Sequence, residues 1–412
     1  MLFRMDQLLR SLATGLDAVE KEVVGATTNH GKRIAVLTAA MGNYLGWGNE
    51  QITSITACGL LHDNALTESL AENQRKEIGT EFLAAHCIKG ERNAAHLPFP
   101  SDVKDFIKYH HECANGWGPF GLRGEDTPMG AQLIAVADHF DVEYKIKDWQ
   151  ETDIGKLMGI IRQERGKVYT EAAADALLAV MDSPLLRSLR DEHIDKAFDA
   201  SVPVWNADVD AARMMEIAET VAAITDYKSK YTAKHSLQIA NRAYWMANFY
   251  GFDKETRAKI YLAASLHDVG KLVTPVHILD KPGKLTDEEY EIIKKHVYWS
   301  YIMLKDVDGF DGICRWAVTH HRKQNGTGYP DLPAKYLEMD FVSRMMTCID
   351  IYQAVREARP YHPSRTHRET MSIMWEMVGR GEIDRQITED LDKEMAQFTG
   401  EDGDVPKPTQ PL

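Results

Sequence analysis

The chain has 412 residues, too many for one hydrophobic core, and size alone predicts two domains of about 200 residues each. Hydrophobic residues make up 44%, the formal charge is −14, and the five cysteines (Cys58, Cys87, Cys113, Cys314, Cys348) contain no CxxC pair. This excludes a disulfide scaffold and a general nucleic-acid binder, which would show a basic face, and no apolar run is long enough for a membrane span.

Along the chain, the start Met1-Leu2-Phe3-Arg4-Met5-Asp6 mixes charge into apolar residues at helical spacing. It reads as a first helix and not as a signal peptide, so the expected location is cytoplasmic. Stretches 34–45, 239–249 and 257–267 place apolar residues three and four apart, and alternating strand patterns are scarce. The predicted fold class is all-α. Glycine and proline gather at 115–124, 281–283 and 325–333, which are expected loops. The domains are expected at 1–205 and 206–400, and residues 401–412, with three prolines and three acids, are expected to be a disordered tail.

An internal repeat organises the whole sequence. The first half carries His30, His62-Asp63, His86, His110-His111 and Asp138; the second carries His235, His267-Asp268, His296, His320-His321 and Asp350. The lone histidine precedes the His-Asp pair by 32 residues in both halves, and the third histidine precedes the His-His pair by 24 in both. The other two intervals differ by 5 and 2 residues, as loop insertions would. The flanks agree: Phe140 and Tyr352 each follow the last acid by two residues, and Arg165-Gly166-Lys167 answers Arg380-Gly381-Glu382.

Any one histidine is commonly a surface or satisfied core residue. Seven residues in the same order twice are not a coincidence of that kind. Imidazoles and carboxylates are the donors that divalent Mn, Fe, Co, Ni and Zn accept. Seven donors exceed the need of one tetrahedral zinc and suit two ions roughly 3.5–4 Å apart.

This pattern resembles the HD superfamily of metal-dependent phosphohydrolases, so the expected architecture is two tandem HD-type helical domains. Over about 225–390 the second half is similar to the HD-GYP subfamily of bacterial cyclic dinucleotide phosphodiesterases. The likeness runs from Tyr231-Thr232-Ala233-Lys234-His235 through Leu266-His267-Asp268-Val269-Gly270-Lys271 to Asp280-Lys281-Pro282-Gly283-Lys284. It continues in His320-His321-Arg322-Lys323-Gln324-Asn325-Gly326-Thr327-Gly328-Tyr329-Pro330 and Arg359-Pro360-Tyr361. The resemblance implies that His235, His267, Asp268 and Asp350 hold one metal and that His296, His320 and His321 hold the second, with Asp268 bridging. It implies a hydroxide activated by both ions, phosphate contacts from Lys271 and Arg359, and a di-iron centre with manganese as the alternative. The Gly-Tyr-Pro loop is expected to present Tyr329 to the substrate.

The second half departs from the subfamily in places. Arg322 and Asn325 stand where His-His-Glu and Asp-Gly are usual, Tyr231 replaces the Glu of three-metal members, and Gln353 replaces a second Asp after Asp350. Two metals are therefore expected, with Arg322 as an added cation beside the substrate. The first half keeps all seven ligand positions and Glu112, but Leu66 occupies the lysine position and its loop reads Asn115-Gly116-Trp117-Gly118-Pro119-Phe120. It is expected to be a degenerate, regulatory copy that could still bind metal.

The leading expectation is hydrolysis of a cyclic dinucleotide to a linear one, cyclic di-GMP first and 3'3'-cyclic GMP-AMP as the alternative. The competing readings are another nucleotide phosphohydrolase, or a non-catalytic nucleotide-sensing module. No nucleic-acid polymer or membrane partner is expected, and a homodimer stays open.

Overall fold

The computed structural model describes residues 1–23, 25–72, 79–229, 235–336, 338–357, 364–398 and 404–408. The fold is all-α; among the described residues the only sheet is the pairing of Leu2–Arg4 with Asn206–Asp208. No described helix is long and apolar enough to cross a membrane. The chain divides into two compact units, Arg4–Asn206 and Ala207–Leu412, and Met1–Phe3 joins the second.

Each unit is built on the same helices. In the first, His30–Tyr44 packs on Asn49–Leu61 and on Met129–Tyr144, and in the second His235–Phe249 packs on Lys254–Leu266 and on Phe341–Arg356. The first of each trio begins on a histidine, the second runs out into His-Asp, and the third carries the late aspartate near its middle. Helix starts are set by local chemistry. Asp253 accepts from the Thr256 N–H, Asp340 from that of Ser343, and Thr286 and Glu289 form a reciprocal capping box ahead of the helix bearing His296. Three acids in that first turn, Asp287, Glu288 and Glu289, also suit the positive end of the helix dipole.

Two expectations change at the termini. The helix predicted from the first residues starts at Met5, because Met1–Phe3 is captured by the second unit. There Phe3 is 2% exposed and its ring lies 5.1 Å from that of Phe310. Gly309 makes room for this strand: a Cβ there would sit 2.7 Å from the Leu2 carbonyl oxygen. Within the tail, Val405 is 1% exposed; its N–H donates to Gln238 Oε1 and its carbonyl accepts from Asn241 Nδ2. A buried valine with both backbone groups satisfied holds 404–408 on the helix His235–Phe249, where composition alone predicts disorder.

Candidate functional site

In the second unit the seven repeat residues converge. Asp268, 3% exposed, has Oδ2 3.1 Å from His267 Nε2 and 3.7 Å from His235 Nε2. Its Oδ1 lies 3.1 Å from His296 Nε2 and 3.9 Å from His320 Nε2. One carboxylate thus faces two groups of imidazoles at once. Asp350 closes the cluster, with Oδ1 3.8 Å from His235 Nε2 and Oδ2 3.4 Å from His321 Nδ1. Two donor sets, His235-His267-Asp268 and His296-His320-His321, each bring their ligand atoms within 4.8 Å of one another. His267 Nε2 and Asp268 Oδ1 are buried and make no hydrogen bond. Buried polar atoms rarely go unpaired, so the donor set fits bound cations.

The imidazoles are aimed by the backbone. His267, His296 and His320 each place Nδ1 on the carbonyl oxygen three residues earlier, those of Ala264, Ile293 and Ala317, at 2.6, 2.7 and 2.6 Å. A carbonyl only accepts, so Nδ1 carries the proton and Nε2 points its lone pair into the cluster. His235 starts its helix and has no such carbonyl; its Nδ1 donates instead to Glu357 Oε2 at 2.7 Å. Sequence reasoning missed Glu357, although its position seven residues past Asp350 puts it on the same helix face. In the first unit Asp141, three past Asp138, does this for His30 at 2.7 Å and is itself held by Arg33 Nε at 2.7 Å. Gln353 stands at the Asp141 position; it receives Arg242 and donates to Glu357, so the relay is displaced by one helical turn.

Lys271 turns back from the short helix Val269–Val273 and pairs with Asp268 Oδ2. The turn requires Gly270: a Cβ there would stand 2.0 Å from the His296 carbonyl oxygen, and its N–H donates to Ser300 Oγ at 3.0 Å. Burial alone would raise the Asp268 carboxyl, but His267 and Lys271 outweigh it and hold it well below the usual range. Burial and their neighbouring imidazoles keep His320 and His321 far below the ordinary histidine value, hence neutral and able to ligate.

The loop after His321 folds back on the site. Gly328, at φ +97°, passes so close that a Cβ would meet the His321 carbonyl oxygen at 2.2 Å. Tyr329 then lays its ring 4.8 Å from that of His321. Asn325 Oδ1 accepts from the Thr327 N–H and hydroxyl, so it serves as a turn residue. Arg322, expected beside the substrate, donates from its guanidinium to the Pro330 carbonyl at 3.2 Å and so braces the loop. At the matching position Glu112 braces the first loop with opposite polarity, accepting from the N–H groups of Phe120 and Leu122 at 2.8 and 2.6 Å.

The first unit reproduces the cluster. Asp63 Oδ1 lies 3.1 Å from His86 Nε2 and 3.5 Å from His110 Nε2, and Oδ2 is 3.8 Å from His62 Nε2. Asp138 Oδ1 is 3.3 Å from His30 Nε2, and Oδ2 is 3.9 Å from His111 Nδ1. His62 and His110 are fixed by the carbonyls of Gly59 and Ile107. Two groups have no counterpart among the ligands of the second unit. Cys87, beside His86, places Sγ 3.8 Å from both His86 Nε2 and His110 Nδ1, and Glu20 places Oε2 3.7 Å from His30 Nε2. Leu66, at the lysine position, lines a cavity of about 250 Å³ with the cluster. Arg359, Tyr231 and Lys234 lie outside the described residues.

The chain belongs to the HD domain family, whose model matches it twice, at residues 19–169 and 214–387. It is similar to the 3'3'-cGAMP-specific phosphodiesterase 1 of Vibrio cholerae, 28% identical over 94% of this chain and 91% of that protein. The 3'3'-cGAMP-specific phosphodiesterase 3 of the same organism is 29% identical over 73% of this chain and 65% of its own length. A cyclic di-GMP phosphodiesterase response regulator of Xanthomonas campestris is 29% identical over 41% of this chain and 45% of its own. The crystal structure of a cyclic GMP-AMP-specific phosphodiesterase of V. cholerae shares the fold, with a TM-score of 0.65 and 23% identity over 96% of this chain and 98% of that one.

Proposed function

We propose that the protein is a metal-dependent phosphodiesterase that opens 3'3'-cyclic GMP-AMP to a linear dinucleotide, and that the second HD copy does the work. The observation that carries this is Asp268, whose two oxygens face two histidine groups while Lys271 holds its outer edge. Divalent ions held there would supply the charge that acidifies a water and neutralises phosphoryl oxygens. His235, His267, Asp268 and Asp350 would take one ion, and His296, His320, His321 and Asp268 the other. Lys271 would meet a phosphate oxygen as charge builds on it, Tyr329 would wall the site, and Arg359 would clamp phosphate. All donors are nitrogen or oxygen, which admits iron, manganese and other divalent ions; the family resemblance puts iron first and manganese next.

The resemblance puts cyclic di-GMP first; the relatives reverse that order. A relative matched along 94% of the chain is named for 3'3'-cGAMP, whereas two named for cyclic di-GMP match 29% and 41% of it. Cyclic di-GMP is kept as the second substrate.

The test is turnover of both dinucleotides by metal-loaded protein, followed by chromatography, with Asp268→Ala and Asp63→Ala alongside. The expected result is faster opening of 3'3'-cyclic GMP-AMP, lost in Asp268→Ala and retained in Asp63→Ala. Wild-type protein that turns over neither while its metal is bound sinks the enzyme reading. Loss of activity in Asp63→Ala to the level of Asp268→Ala sinks the assignment to the second copy.

A further inference from the structure

Glu20 is on the helix Met5–Val23 and is 3% exposed, yet its Oε2 makes no hydrogen bond. It faces His30 Nε2 at 3.7 Å and lines the cavity that holds Asp63, His86, His110, His111 and Asp138. Around it His62 Nε2, Asp63 Oδ1 and His110 Nε2 are likewise buried without a hydrogen bond. The ligand atoms of His62, Asp63 and His110 lie within 4.8 Å of one another, and Glu20 borders the same cluster through His30. Buried polar atoms left unpaired in this way are costly unless a cation sits among them.

Among the described residues the second unit has no carboxylate at the matching position. Asp17 accepts from the Gly31 N–H just after His30, and Asp226 accepts from the Ser236 N–H just after His235, which matches the two positions. Three residues past Asp17 is Glu20; three past Asp226 is Ser229, whose hydroxyl donates to Asp280.

The carboxylate changes the charge of the centre. Two divalent ions against Glu20, Asp63 and Asp138 leave one positive charge, Glu112 and Glu143 in the lining lower it further, and among the described residues no lysine or arginine lines the cavity. Against Asp268 and Asp350, with Lys271 beside them, two ions leave three positive charges. The first cavity is also walled by Leu66, Phe82, Leu83, Val142 and Val168, and its volume of about 250 Å³ is below the roughly 300–1,000 Å³ of sites for drug-sized ligands.

We propose that the first copy is a resident, non-hydrolytic metal centre in which Glu20 is a metal ligand beside the seven repeat residues. The centre is charge-balanced by the protein's own carboxylates and does not take the dinucleotide. The proposal shares with the preceding reading the premise that these clusters hold divalent ions, and its test counts ions in the first copy without any turnover.

The full chain carrying His267→Ala and Asp268→Ala isolates the first copy. It is loaded with Mn²⁺, desalted and assayed for manganese per chain and for Mn²⁺ affinity. Bound manganese is expected, lost on adding His62→Ala and Asp63→Ala, and Glu20→Gln is expected to weaken affinity about 10–100-fold with an unchanged circular dichroism spectrum. If Glu20→Gln does not fold, Glu20→Asp, which keeps the charge but retracts it, is expected to weaken affinity in the same direction. Wild-type affinity in the Glu20 variant that folds, or no manganese in the first copy, overturns the proposal. So does hydrolysis of bis(p-nitrophenyl) phosphate by the isolated first copy that disappears with His62→Ala and Asp63→Ala.

Discussion

At the residue scale, the two clusters differ in what surrounds a common set of donors. Among the described residues Lys271 is the lysine paired with Asp268, and its counterpart Leu66 adds no charge to the first cavity. Lys271→Ala is expected to lower kcat by about 10²–10³-fold, as loss of one charge-stabilising donor does, with little change in bound metal. Unchanged kcat in steady-state assays would remove Lys271 from the chemistry. Glu357 acts through His235, which it orients from 2.7 Å. Glu357→Gln is expected to weaken metal retention roughly 10–100-fold, read as metal content after dialysis, and activity should return at excess metal. A loss of activity that excess metal does not restore would give Glu357 a different role.

At the scale of elements, the fold works by bringing helix ends and middles to one point. The helix Asp287–Leu304 must pass against the turn at Gly270 for His296 to reach Asp268. Gly270→Ala is therefore expected to push that helix away, costing about 1–3 kcal/mol and loosening the metal shared by His296. Thermal unfolding with and without Mn²⁺ checks this, since the variant should lose much of the stabilisation that metal gives. The loops show a related economy. Glu112 and Arg322 hold equivalent loops through opposite groups, one accepting from N–H and the other donating to C=O. A loop can keep its place while its brace changes sign, because the backbone offers both donors and acceptors.

At the scale of the whole molecule, the chain's first residues complete the unit formed by its second half. Phe3 is buried against Phe310, and truncating a buried phenylalanine to alanine typically costs about 3–5 kcal/mol. Phe3→Ala is expected to raise amide exchange across 207–412 while sparing 4–206, as hydrogen-exchange mass spectrometry would report. Equal exchange in both units would mean that Phe3 does not belong to the second one alone.

The sequence by itself determined the repeat, the helical class and the fourteen candidate ligands, because residue order and helical period are written along the chain. Glu112, Asn325 and Gly270 were visible as residues, and their neighbours in sequence already suggested turns. Only the tertiary structure decided which groups arrive from elsewhere. Glu20 reaches His30 from a separate helix, Glu357 reaches the start of another, and Arg322 donates to the loop carbonyl of Pro330. Met1–Phe3 and Val405 dock on segments far from them in sequence. Local spacing reports what one helix presents on one face; it carries no record of which other element that face will meet, and burial against a distant partner is what settles these roles.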